Sequence, residues 1–406
     1  MLESAKGRLG PLGGWLSVSV ELADPESFET AVAEARAGIA SMVSAAGLAQ
    51  NSGEDTAATL NALAGQARTP RTDPSGLDAL DLVVLATEQN ATADGGGSIL
   101  TAAEMARAAQ LLDGMPAAQR QQFEELLAGA KSPAEAAYLM KALAAGNSLA
   151  AIQEFDKLIH PYGDNLAWLS QHLAPDVVNG SYDGKSGVIL TIKGVSGSLY
   201  MPVYSQGVIA EDCVAASTVA ALANLDPVYM LQLTTGDHPG VPASDTPTAL
   251  YHRLQSAYIS NYEKGEVADG VRDVTSFTNA AIKTPGENLI TNSLIGRATG
   301  TVYQYVPLNG SSDNQAMLPQ VEQAVAAGQP VPIDVAGSGR IGHQMVIIGS
   351  SGNNLQIYEP ESGHAYWVTT QQFVNNQLGD VTGVPDGLPT ATGLEMQVPT
   401  ISWPFS

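Results

Sequence analysis

The stretch PVPIDVAGSGRIGHQMVIIGSSGNNLQIYEPESGHAYWVTT, residues 330–370, breaks into four short apolar runs: PVPIDVA, HQMVIIGS, NLQIYEP and HAYWVTT. Each run is of strand length and rich in Val, Ile or Tyr. Glycines and the Asn353–Asn354 pair punctuate them, and a turn at ESG precedes the last run, so an antiparallel meander is expected. Upstream, DNQAMLPQVEQAVAAG reads as a helix with Gly328 as its stop, and CVAASTVAALANL as another. Further upstream, GVILTIKGVSGSLYMPVY alternates apolar and polar residues around a Gly-Ser turn and reads as a hairpin. Beyond residue 380, frequent Gly and Pro indicate a loop-rich tail that wraps the domain. Residues 176–406 therefore read as α+β, a helix followed by a sheet.

Residues 1–175 have a different character. From 26 to 172 the chain is rich in Ala, Leu, Glu and Gln at helical spacing, and an all-helical domain is expected. In SPAEAAYLMKALAAG, Ser132 and Glu135 form a capping box, Pro133 takes the first helical position and Gly146 ends the helix. Thr101 and Glu104 form a second capping box. Leu149, Ile152, Phe155 and Ile159 share one helix face. Polar stretches at 50–58 and 67–76 interrupt the pattern.

The chain has 406 residues, 44% of them apolar, enough for real cores in two or three domains. Its net charge of −23 argues against nucleic acid and against anionic membranes. No window of about 18 or more uninterrupted apolar residues is present. The opening residues lack the apolar core of a secretory signal, so the expected location is the cytoplasm, or outside by a non-classical route. One cysteine excludes an internal disulfide.

That cysteine, Cys213 in EDCVAAS, sits at the start of its helix. A thiol is a good nucleophile only as thiolate, which a helix amino terminus and a paired imidazole both favour. Six histidines are available. His160 and His172 lie in the helical part, His238 in a loop and His252 in the helical stretch TALYHRLQSAYISNYE. His343 follows a glycine and opens a strand, which puts an imidazole at the mouth of a sheet. Glu359 closes the next strand and is placed to hold that imidazole in one tautomer. Taken singly, each residue has an ordinary structural role. A lone cysteine is usually a small buried hydrophobe. The order of Cys at a helix start, His at a strand start and carboxylate at the next strand's end points to a triad.

EDCVAAS, VEQAVAAGQPVPIDVA, GHQMVIIG and LQIYEPESG together resemble the papain-like cysteine peptidase superfamily, most closely its bacterial C39-like branch, over roughly residues 200–375. The resemblance implies a papain-like domain at 176–406, with the cysteine helix packed on an antiparallel sheet. It implies Cys213 as nucleophile, His343 as base and acid, and Glu359 as orienter where the family usually carries Asp. Gln206 would supply an oxyanion donor beside the Cys213 N–H. The activity implied is thiol-dependent cleavage of an amide or peptide bond through a thioester, on a protein or peptide substrate. Transglutaminase or deamidase chemistry on protein glutamine, and an inactive binding module, are the alternatives. The helical domain would bind a partner or regulate the cleft. No cofactor is implied, because thiolate acyl transfer needs none.

Other motifs fail. GSYDGKS at 180–186 lacks the spacing of a phosphate loop. Counted back from Glu104, the calcium-loop positions fall on Ala93, Gly95 and Gly97, which offer no side-chain oxygen. No histidine or cysteine pair has zinc spacing.

Overall fold

The computed structural model describes residues 99–174, 187–190, 199–206, 212–271, 282–336, 343–378 and 393–399. The expectations for residues 26–98 and for GSYDGKS lie outside them. The chain divides into two compact units, Met1–Lys141 with Tyr162–Leu166, and Ala142–Pro161 with Ala167–Ser406.

In the first unit, α1 (Ala102–Asp113) opens on the expected capping box. Thr101 N donates to Glu104 Oε2 at 2.7 Å, and Glu104 N donates to Thr101 Oγ1 at 3.1 Å. Next come α2 (Ala117–Gly129) and α3 (Pro133–Ala144). At α3 the Ser132 half of the expected box is formed. Glu135 N donates to Ser132 Oγ at 3.1 Å, but the Glu135 carboxylate accepts from Lys131 N at 2.5 Å, one residue further back. Leu100, Leu112, Phe123, Leu127 and Leu139 are buried here.

The second unit contains α4 (Leu149–Ile159) and α5 (Leu166–Leu173), the latter beginning in the first unit's final segment. A short ladder joins β1 (Gly187–Leu190) to β2 (Leu199–Pro202), as the hairpin pattern required. Three helices follow: α6 (Cys213–Leu225), α7 (Pro227–Thr235) and α8 (Pro247–Ala268). Then α9 (Thr284–Thr291) runs through a π-helical segment, Asn292–Gly296, into a last turn, Arg297–Thr299. The remaining elements are β3 (Tyr303–Leu308), α10 (Ser311–Ala326), β4 (Val331–Ala336), β5 (His343–Ser351), β6 (Asn354–Glu359), β7 (His364–Thr369), α11 (Thr370–Val374) and β8 (Gly393–Pro399).

Six strands form one sheet in the order β3-β8-β4-β5-β6-β7, every pair antiparallel. The fold class is α+β, and the meander β4 to β7 runs as its sequence predicts. Two strands depart from expectation. Residues 393–399, expected as loop, form β8 between β3 and β4. YQYVPL, not singled out in the sequence, forms the edge strand β3.

Alternation along the strands sorts the core into two layers. Val331, Ile333, Val335, Met345, Ile347, Ile357 and the α10 residues Val321 and Val325 pack on one face. On the other face Val346 and Tyr358 pack with α6. Every residue of α6 except Asn224 is buried, so it is a core helix apolar nearly all round. Its alanines let β5 approach closely. Together these two layers hold the start of α6 against the start of β5.

Candidate active site

Cys213 is the first residue of α6, preceded by the buried Asp212. Asp212 accepts the first helical bond through its backbone carbonyl, from Ala216 N at 2.8 Å. The sulfur-bearing residue is 6% exposed and lies at the margin of the apolar cluster. Burial of this degree fits a packed cysteine as well as a nucleophile, so the neighbours decide. His343 provides the distinction: its ring is hydrogen-bonded to Glu359 and lies near enough to Cys213 for the sulfur to shift its pKa.

His343 Nε2 lies 2.8 Å from Glu359 Oε1. A carboxylate only accepts, so Nε2 carries the proton and Nδ1 is left for the sulfur. Both residues lie beyond the Val346–Tyr358 pair, which ends the β5–β6 ladder. Continuing that register sets Glu359 level with Met345 rather than His343. The longer Glu side chain spans this diagonal.

Glu359 is fully buried, and its charge is answered by donors. Oε1 also accepts from Glu361 N, and Oε2 from Ser362 N, each at 2.7 Å. The turn that supplies these donors is closed by Gly363 N donating to Glu359 O at 2.9 Å. Gly363 has φ +70°, and a Cβ there would stand 2.5 Å from Ser205 N.

Burial alone would lower the His343 pKa. The Cys213 and Glu359 side chains, through hydrogen bonds and charge, outweigh it and push the value up to about 10. For Glu359, burial works upward, but the His343 hydrogen bond and charge and the two backbone N–H groups hold its carboxyl below the usual range.

Gln206 meets the same corner through its backbone, donating from N to Pro360 O at 2.5 Å. Its side-chain carbonyl is buried with no hydrogen-bond partner among the described residues. The segment before it is pinned hard. Tyr204 O accepts from Tyr358 Oη at 2.5 Å and from Tyr258 Oη at 3.3 Å, and Ser205 O accepts from Gln255 Nε2 at 3.2 Å. Burial pushes both phenols up, so they stay protonated donors.

The structure thus brings together Cys213, His343 and Glu359, and holds the Gln206 backbone beside the turn after Glu359. Of the other described histidines, His364 stands opposite Glu359 on β7, and His172 serves elsewhere. His172 Nδ1 lies 2.8 Å from Trp168 O, and its Nε2 lies 2.9 Å from Asp245 Oδ1. Sequence reasoning missed the tyrosine clamp on Tyr204 and the role of Gln344, whose Nε2 donates to Ser217 Oγ at 2.7 Å. A polar residue inside the apolar run HQMVIIG was the signal available for Gln344.

No family model matches the chain, and no curated protein is similar to it. The site therefore stands on its own geometry.

Proposed function

We propose that the chain is a papain-like thiol hydrolase that cleaves an amide or peptide bond through a Cys213–His343–Glu359 triad. The observation that carries this reading is the His343 ring, hydrogen-bonded to a buried carboxylate and close enough to the only sulfhydryl in the sequence for that sulfur to raise its pKa. That sulfhydryl lies at the positive end of a buried helix.

In the mechanism, the Cys213 sulfur attacks the carbonyl carbon of the substrate amide. The Cys213 N–H, with Gln206 as second donor, receives the developing oxyanion. His343 gives its proton to the departing amine, and a thioester remains on Cys213. His343 then takes a proton from water, which attacks the thioester and releases the acid. Glu359 stays ionised throughout and holds the ring by its Nε2–H. The substrate class is a protein or peptide carbonyl. Resolution of the same thioester by an amine would give transamidation.

The test is alkylation of the full chain by iodoacetamide near neutral pH, followed by an amide-substrate screen. Cys213 in the native protein should react faster than in the His343→Ala variant, and Cys213→Ala should remove both labelling and turnover. Equal alkylation rates with and without His343, or turnover surviving Cys213→Ala, would overturn the proposal.

A further inference from the structure

Gln344 follows the proposed base in the chain and is fully buried. Strand alternation turns it toward α6, the face shared by Val346, rather than toward the layer of Met345 and Ile347. There its Nε2 donates to Ser217 Oγ at 2.7 Å, with Val214 O 3.5 Å away. Ser217 Oγ passes the chain on, donating to Val214 O at 3.2 Å. Ser217 lies one helical turn after Cys213, so the two share a face of α6. The route from base to nucleophile is therefore short: His343, its neighbour Gln344, one hydrogen bond, Ser217, one turn of helix, Cys213.

This contact carries a cost. Gln344 Oε1 is buried with no partner among the described residues. An unanswered buried acceptor is destabilising, and an apolar side chain of similar shape would avoid that. Packing alone does not account for an amide here.

We propose that Gln344 is a positioning residue for the triad: by bonding to Ser217 it sets the height at which β5 presents His343 to the Cys213 sulfur. This inference rests on the thiol-hydrolase reading above. Acyl transfer is sensitive to such placement, because a displacement of about 1 Å costs on the order of 10²-fold in rate. The ionisable groups facing the pair are Glu359 from β6, Asp212 ahead of Cys213, and Asp334, which stands opposite Gln344 on β4.

The experiment follows alkylation of Cys213 by iodoacetamide across pH in the full chain, alongside thermal unfolding. Gln344→Met removes the donor and the unanswered oxygen together. It should leave the unfolding temperature unchanged or higher, slow alkylation at neutral pH by ~10-fold, and erase the part of the pH profile that His343→Ala also erases. Ser217→Ala breaks the same bond from the helix side with little change of volume. It should act in the same direction, and the double variant should fall short of the sum of the two effects. A Gln344→Met protein with the native rate and profile would overturn the inference. If Gln344→Met does not fold, Ser217→Ala decides alone: a native profile there overturns the inference equally. The two proposals fail differently. Loss of His343 dependence in the native protein removes the hydrolase reading, whereas an intact His343 dependence that ignores Gln344 and Ser217 removes only this one.

Discussion

Glu359 is the residue on which the site's electrostatics turn, since it accepts from His343, Glu361 and Ser362 at once. The raised pKa of His343 means that the native state keeps a proton the unfolded chain has released. That contribution to stability is complete below the ordinary histidine value of 6.5 and is lost as pH climbs through about 10. The lowered pKa of Glu359 works from the other end: its contribution is present above the ordinary value of 4.5 and is lost as pH falls through the lowered one. Thermal melts across pH should therefore show a plateau between those limits. In Glu359→Gln, His343 loses one of the partners that raise it, so the alkaline limb should move to lower pH. On the thiol-hydrolase reading proposed above, the same variant should lower kcat by roughly 10²–10⁴-fold, since the carboxylate that holds the ring is gone. An alkaline limb that stays in place would show that Glu359 does not govern the imidazole.

Among the elements, the turn Glu359–Gly363 does two things. It caps the carboxylate, and it lets the Tyr204–Ser205 backbone pass close by. Gly363→Ala meets both a positive φ and a Cβ position 2.9 Å from the Tyr204 carbonyl carbon. It should destabilise the protein by about 2 kcal/mol or more in denaturant titration, and it should slow Cys213 alkylation if the 204–206 segment is displaced.

Much at this scale was legible in the sequence. CVAASTVAALANL matches α6 from first residue to last, because an apolar helix with a polar lead-in has unambiguous ends. The meander was legible because glycine and asparagine mark its turns. The edge pair β3 and β8 was not. YQYVPL carries a proline, and GLEMQVP follows a Gly- and Pro-rich stretch, so local chemistry reads as breaks. Their pairing comes from partners far away in sequence, which no local period reveals. The pairing of His343 with Glu359 was legible in identity and order. The diagonal offset of Glu359 and the latch at Gln344 were not, since both depend on register.

For the whole molecule, composition changes near residue 175, but the compact units divide elsewhere, with residues 142–161 and 167–174 joined to the strand-bearing part. The contacts are specific. Asn147 Nδ2 donates to the buried Asp226 Oδ1 at 2.9 Å, and Thr234 Oγ1 donates to His172 O at 2.9 Å. The His172 ring stacks on Trp168 with centroids 4.2 Å apart and reaches Asp245. A chain starting at residue 176 removes all of these, together with the buried Ile152, Phe155 and Ile159. It should be less stable than a chain starting at residue 130 by about 3 kcal/mol or more, read as a lower denaturant midpoint. Equal midpoints would place the independent folding unit at the compositional boundary instead.

The placement of β8 bears on how such a chain is made. Strands β3 and β4 flank a slot that only residues 393–399 fill. Until those residues have left the ribosome, two rows of backbone donors and acceptors stand open, and the platform that presents His343 is unfinished. On the thiol-hydrolase reading proposed above, the sheet that carries His343 is completed late, only after residues 393–399 have been made.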